Sequence, residues 1–284
     1  MDDVVRSRVK SASSSSSPTA SSKLVAARTD CRFERFALQE PPPGTKKTNV
    51  TFETHPVVVH DARGREDELT LDTTGFQFSL SPSIEKAFDD DARIKAQYYP
   101  EVEALLKKVT GAKRIFIFNH IVSTEKGMGT TKRNRGPVEG VHVDQAYDAT
   151  VKLVREHLPD DADRLLQSRV RLINVWRPIA NPVAHKPLGI SDWRFLDERD
   201  LVPVRLIMRH REGCPFSVRY NPSHRWYYLS SQTPDEVTLI KCYDSEVDGR
   251  ARLSPHSAFL DPTSPKDAPH RQSIEVRALV FDAG

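Results

Sequence analysis

The chain has 284 residues, enough for one large domain with a sizeable core or for two small ones. Hydrophobic residues make up 38% and charged residues 29%, and 42 Lys and Arg stand against 39 Asp and Glu. That is an ordinary soluble composition whose small positive excess, +3, gives no reason to expect a nucleic-acid partner. No stretch reaches the roughly 18 consecutive apolar residues of a membrane span. The opening MDDVVRSRVK has no apolar core of a secretory signal, so a cytoplasmic protein without a membrane partner is expected. Cys31, Cys214 and Cys242 are odd in number and far apart, which fits a reducing compartment rather than a disulfide framework.

Residues 1–28 include SASSSSSPTASS, which cannot bury enough apolar surface to offset ordering entropy, so a disordered tail is expected there. Residues 29–284 then form a single domain, with an N-terminal part over 29–122, a loop over 123–136 and a metal-binding core over 137–284. QEPPPGTKKTNV reads as an extended arm, HPVVVHDARGRE as a short strand and glycine turn, and TGFQFSLSPS as an edge strand. Over 84–112 the period changes: Val102, Leu105, Leu106 and Val109 recur three and four apart, and Gly111 follows as a helix stop. KRIFIFNHIV is β-prone and reads as a buried strand. STEKGMGTTKRNRG lacks periodicity and reads as a mobile loop able to act as a lid.

Beyond it EGVHVDQ is a strand, AYDATVKLVREHL and DADRLLQ are helices, and RVRLINVWRPI is a strand. VPVRLIMRHREGCPFSVRYN looks like a hairpin with Glu212–Gly213 at its turn. HRWYYLSS, EVTLIKCYDS, PHSAFLD and QSIEVRALVFD supply further strands. The expectation is a mainly β, α+β protein: a barrel or sandwich core backed by helices.

Along a strand, residues two apart face the same way, so His142 and Asp144 share a face with Val141 and Val143 on the other. Imidazole and carboxylate on one face suit Fe(II), whose facial triad of two histidines and one carboxylate leaves positions open. His210 and Glu212 have the same spacing but sit at a hairpin tip, where turn polarity explains them. The distal ligand must come from another histidine. His256 in SPHSAF is preferred, with His224 in YNPSHRWYY as the rival, itself better read as a structural or outer-sphere residue. His120 ends a buried strand and reads as a satisfied core histidine, with Asn119 beside it as a pocket residue.

Past His256, Arg271 and Ser273 open the last strand, where barrel oxygenases place an arginine on the far carboxylate of 2-oxoglutarate. A planar guanidinium matches a carboxylate and stays charged when buried. Arg277, on the same face with Glu275, is a rival anchor or an ion-pair partner of that glutamate. In NVWRP, Trp176 is core or pocket wall, and Arg177 needs a charged or cosubstrate partner if buried.

Taken together, FETHPVVVHDARGRE, TGFQF, KAQYYPEVEALLKKVTGAKRIFIFNH, VHVDQ, INVWRP and SIEVRALVF, with the long block YNPSHRWYYLSSQTPDEVTLIKCYDSEVDGRARLSPHSAF, resemble the fungal hydroxylase/desaturase family of secondary metabolism. That family includes AsaB-like and gibberellin-desaturase-like proteins and is related to the cephamycin methoxylation protein CmcJ. The likeness covers roughly residues 40–283. It implies a double-stranded β-helix of jelly-roll, cupin-like type and an oxygenase that uses Fe(II), 2-oxoglutarate and O2. Carried over, it implies His142, Asp144 and His256 as metal ligands and Arg271 or Arg277 as the cosubstrate anchor, with Ser273 assisting. The substrate would be a small-molecule natural product, hydroxylated or desaturated, with release of succinate and CO2. The long gap from Asp144 to His256, and from His256 to either arginine, departs from the usual oxygenase pattern. Two other readings stay open: a Zn or Mn enzyme on the same fold, and a non-catalytic or supporting oxygenase-fold subunit of a hetero-oligomer; assembly as a homodimer or heterodimer is left open as well.

Overall fold

The computed structural model describes residues 21–28, 36–38, 48–123, 136–208 and 212–284. In chain order it begins with β1 (Ser21–Arg28), β2 (Phe36–Leu38), β3 (Thr51–Asp61) and β4 (Phe76–Leu80). A disordered tail was expected over 1–28. Residues 1–20 lie outside the described residues, but 21–28 form a strand, antiparallel to β3 from Ser21 opposite Val58 to Arg28 opposite Thr51. The serine-rich composition hides a short alternation: Leu24 and Ala26 are buried, and Leu24 packs with Val141, Trp226 and Phe259. A partner distant in sequence supplies the burial that local composition lacks.

Helix α1 (Asp91–Arg93) is a single turn capped by the Asp90 carboxylate, which accepts from the Arg93 N–H at 2.6 Å. A π-turn over Ile94–Tyr98 leads into α2 (Tyr99–Thr110). The helix expected over 84–112 therefore starts later. It stops where expected, with Gly111 at φ 69 and its N–H donating to the Lys107 carbonyl. Val102, Leu105 and Leu106 are its buried face, each worth about 1.5–3 kcal/mol of transfer free energy, so packing rather than propensity holds this short helix. Strand β5 (Arg114–Ser123) follows. It was expected to be buried, yet it is an edge strand and mostly half-buried, with only His120 fully enclosed. The loop expected over 123–136 falls outside the described residues at 124–135.

The remaining elements are β6 (His142–Val143), α3 (Tyr147–His157), α4 (Ala162–Leu165), β7 (Val170–Pro178), β8 (Leu188–Ser191), β9 (Leu201–Pro203), β10 (Arg205–Ile207), β11 (Glu212–Gly213), β12 (Phe216–Val218), β13 (Trp226–Tyr228), β14 (Glu236–Asp244), β15 (His256–Ala258) and β16 (Ser273–Phe281). Glu212 and Gly213 are not a turn: they pair with Ile207 and Leu206 as the returning strand of the hairpin. His210 lies outside the described residues.

One sheet of eight strands runs β1-β3-β13-β8-β15-β6-β12-β9, one of five runs β4-β14-β7-β16-β5, and β11-β10-β2 form a small third sheet. The two large sheets, mainly antiparallel, enclose a core to which the eight-stranded sheet gives Ile190 and Tyr227 and the five-stranded sheet gives Phe76, Leu172, Trp176 and Cys242. The other face of the five-stranded sheet, with Ile173, Val175, Leu239 and Val276, is covered by α2 through Val102 and Leu106. With both faces covered, every residue of β7 and every residue of β14 except Glu236 is buried, polar ones included. This is a double-stranded β-helix with helices outside it. Among the described residues no helix is long and apolar enough to cross a membrane.

Candidate metal centre

Strands β6 and β15 run antiparallel in the eight-stranded sheet with His256 directly opposite His142. Cross-strand partners share a face, so both imidazoles point into the barrel, and their ring centroids lie 4.5 Å apart. Asp144 follows β6 by one residue and turns back to the same place. Its Oδ1 is 3.9 Å from His142 Nε2 and its Oδ2 is 3.9 Å from His256 Nε2. One ligand atom from each of these three residues lies within 4.8 Å of the others, the sole such group of histidine, cysteine or acidic side chains among the described residues.

The hydrogen bonds around these groups set their chemical form. His142 Nδ1 donates to the Gly140 carbonyl at 2.7 Å and His256 Nδ1 donates to the Ser254 carbonyl at 3.1 Å. A ring whose Nδ1 carries the proton offers its Nε2 lone pair, and both Nε2 atoms face Asp144. Burial lowers the pKa of each histidine, so the neutral, metal-binding form is favoured. His256 Nε2 is buried with no hydrogen-bond partner, a cost that a metal ion in its path would remove. The donor set of two neutral imidazoles and one carboxylate matches a ferrous site in kind.

Asp144 is held from the opposite sheet. Asn174 on β7 and Arg277 on β16 are register partners. Asn174 Nδ2 donates to Asp144 Oδ2, and Arg277 Nη2 donates to Oδ1 at 2.8 Å. Burial opposes ionisation of Asp144, but Arg277, the two imidazoles and the Asn174 amide outweigh it and keep the carboxyl below its usual range. Arg277 Nε also donates to Glu275 Oε1 at 2.9 Å. Burial pushes the Glu275 carboxyl up, with Arg277 opposing. Nothing in the local sequence marked Asn174 as a partner of Asp144, because the contact exists only across the barrel.

The other expected site residues divide by sheet face. Arg271, 8% exposed, precedes β16. Its Nη1 donates to the Lys186 carbonyl at 2.6 Å, its guanidinium stands 5.4 Å from the Trp176 ring centroid, and its Nε is buried without a partner. It borders a cavity of ≈ 160 Å³ that Lys186, His185, His270 and Asp261 also line. Trp176 and Ser273 are buried, Trp176 pairing with Glu275 across β7 and β16 and Ser273 with Pro178. Asn119 on β5 is the register partner of Arg277 and is half-buried.

Two expected pocket residues lie elsewhere. Arg177 alternates to the outer face of β7, where its Nε donates to Tyr98 Oη at 2.9 Å and its Nη1 to the Pro234 carbonyl, with the Tyr98 ring 5.1 Å away. Its buried charge is met by a phenol, a carbonyl and a π face rather than by a cosubstrate. His224 lies outside the barrel beside Trp226, with Nε2 3.1 Å from Asp200 Oδ2 and Leu24 and Val141 nearby, so it serves neither as ligand nor as support of the ligands. His120 is a satisfied core histidine, with Nδ1 2.8 Å from Tyr99 Oη and Nε2 3.2 Å from Asp91.

Comparison with known proteins places this site in context. A family described as an oxidoreductase/YMDC permease-like domain matches residues 25–281. The Fe(II)/2-oxoglutarate-dependent dioxygenase nvfI of Aspergillus novofumigatus is 37% identical over 91% of this chain and 99% of its own. The hydroxylase/desaturase efuI of Hormonema carpetanum is 36% identical over 82% of this chain and 86% of its own. The hydroxylase/desaturase CTB9 of Cercospora beticola is 34% identical over 81% and 77%. Among solved structures, that of the iron and alpha-ketoglutarate-dependent endoperoxidase NvfI superposes with a TM-score of 0.85 at 36% identity, covering 93% of this chain and 98% of the other.

Proposed function

This chain belongs to the family of fungal Fe(II)/2-oxoglutarate-dependent dioxygenases and hydroxylase/desaturases, and on that premise we propose that it oxidises a C–H position of a fungal secondary metabolite, by hydroxylation or desaturation. His142, Asp144 and His256 hold the ferrous ion. The single observation that carries this reading is the convergence of those three side chains from two strands, with a buried, unpartnered His256 Nε2 at the centre. When bound, Fe(II) and 2-oxoglutarate supply the oxidising chemistry, in which O2 is consumed, the keto acid becomes succinate and CO2, and the substrate gains a hydroxyl or loses two hydrogens with release of water.

The chain's own residues hold, orient and exclude. The Gly140 and Ser254 carbonyls lock the tautomers of the two imidazoles. Arg271 binds the far carboxylate of 2-oxoglutarate. Burial pulls its pKa down to about 10, with Glu275 opposing, which still leaves it charged at neutral pH, and among the described residues no carboxylate hydrogen-bonds it. Its unmet Nε supports this assignment, since a planar guanidinium donates two parallel hydrogen bonds to a carboxylate. Ser273 adds a hydroxyl two residues on, at the start of β16, and Trp176 is the wall that keeps Arg271 from turning away. Arg277 is already committed to two carboxylates, which argues against it as anchor. The substrate is a small molecule, and the same proposal sets this work in the cytoplasm without nucleic acid or membrane.

An anaerobic titration with Fe(II) and then 2-oxoglutarate tests this. A metal-to-ligand absorption band should grow to one equivalent, and aerobic succinate release should need both additions. Absence of the band from folded wild-type protein would overturn the assignment, and turnover with Zn or Mn but without succinate would favour a different enzyme on the same fold. A search of extract metabolites for oxidised products then identifies the substrate.

A further inference from the structure

Arg277 is an inward-facing arginine of the barrel that the proposed chemistry leaves unused. The side chain is largely buried, with 18% of it exposed, and burying a guanidinium is costly unless its donors are met. They are met by two acids, Asp144 Oδ1 at 2.8 Å from Nη2 and Glu275 Oε1 at 2.9 Å from Nε. Asn174, its cross-strand neighbour, occupies the other oxygen of Asp144. One oxygen of the carboxylate therefore faces a charged donor and the other a neutral one, both mounted on the rigid five-stranded sheet.

We propose that Arg277 is a positioning residue for Asp144, with Glu275 as the strut that fixes its guanidinium, so that the pair sets the orientation of the carboxylate presented to the metal. This rests on the reading of His142, Asp144 and His256 as ligands. The logic is geometric first. Asp144 lies just past a two-residue strand, where little backbone pairing restrains it. Its side-chain direction is set from across the barrel by Asn174 and Arg277, as outer-sphere partners commonly orient metal ligands. Charge supports the same arrangement. A lone guanidinium beside a dication's site would repel the ion, whereas the neighbouring Glu275 carboxylate neutralises it and leaves the hydrogen bond without the repulsion. The same strut denies Arg277 to an incoming keto acid, so the arginine before this strand and the one within it divide their work: Arg271 takes the cosubstrate, Arg277 the metal's carboxylate.

The test uses Co(II) with no keto acid present, which separates ligand positioning from cosubstrate binding. In Arg277→Met the visible spectrum of the Co(II) protein at saturation should differ from wild type, and Co(II) affinity should fall by about 10- to 100-fold, the usual cost of losing such a partner. Arg277→Lys, which can reach Asp144 but not both acids at once, should restore part of the affinity, and it decides the matter if Arg277→Met does not fold. Glu275→Gln, which keeps an acceptor for Nε, should stay nearer wild type than Arg277→Met. Arg271→Gln should leave the Co(II) spectrum unchanged. Wild-type uptake of Co(II) together with an unaltered spectrum and affinity in both Arg277 variants would overturn this inference alone. A wild-type protein that binds no Co(II) would overturn the metal centre and the inference with it.

Discussion

His142 and His256 stand opposite one another across a single antiparallel pair, with their Nδ1 atoms both donating to carbonyls two residues upstream, Gly140 and Ser254. Each ring is thus fixed in the same way by its own strand, and each offers Nε2 to the same carboxylate. Two short strands, of two and three residues, carry the pair, so the rest of the sheet must hold them in place.

Substituting any one of the three converging residues should remove metal uptake without unfolding the chain. In a thermal melt, wild-type protein should gain stability on addition of Co(II) in excess over its dissociation constant, by mass action on the folded state. His142→Ala, Asp144→Ala and His256→Ala should show no gain. A full gain in any of them would remove that residue from the ligand set.

Arg271→Gln should raise the 2-oxoglutarate concentration needed for the absorption band by roughly 10- to 100-fold, the loss expected for a charge-assisted hydrogen bond. The Fe(II) requirement should not move. The opposite pattern, with Arg277→Gln weakening the keto acid and Arg271→Gln silent, would exchange the two assignments.

Arg177→Met should lower stability while leaving the metal spectrum as in wild type. Tyr98 Oη and the Pro234 carbonyl lose their partner behind the sheet, which costs about 1–3 kcal/mol for buried polar groups. Denaturant unfolding beside a Co(II) spectrum reads both. A changed spectrum with unchanged stability would put Arg177 back in the site.

Acid stability should depend on Glu236, whose carboxyl is held down to about 2, above all by the side-chain hydrogen bonds from Arg63. The folded state binds this proton less readily than the unfolded chain, whose glutamate titrates near 4.5. Its contribution is therefore complete above that value and lost as pH falls from about 4.5 towards 2. Stability measured from pH 5 to 2 should fall less steeply in Glu236→Gln than in wild type. Parallel slopes would show that the pair contributes nothing.

The sequence by itself carried what depends on neighbours in the chain. The two-residue alternation put His142 and Asp144 on one face, the three- and four-residue spacing of Val102, Leu105 and Leu106 marked a helix, and Gly111 marked its end. RVRLINVWRPI, EVTLIKCYDS and QSIEVRALVFD announced the strands β7, β14 and β16. Alternation along β7 also separated Arg177 from Trp176, but it could not say which of the two faces the cavity. Only the assembled barrel decided that, because the inner face is defined by the opposite sheet. Register between strands remote in the chain decided the rest: His256 against His142, Asn174 and Arg277 against Asp144, and β1 against β3. Local propensity and period act over a few residues, whereas pairing and burial are settled by the total apolar surface the whole chain can hide, so a partner on a distant strand leaves no mark beside the residue it completes.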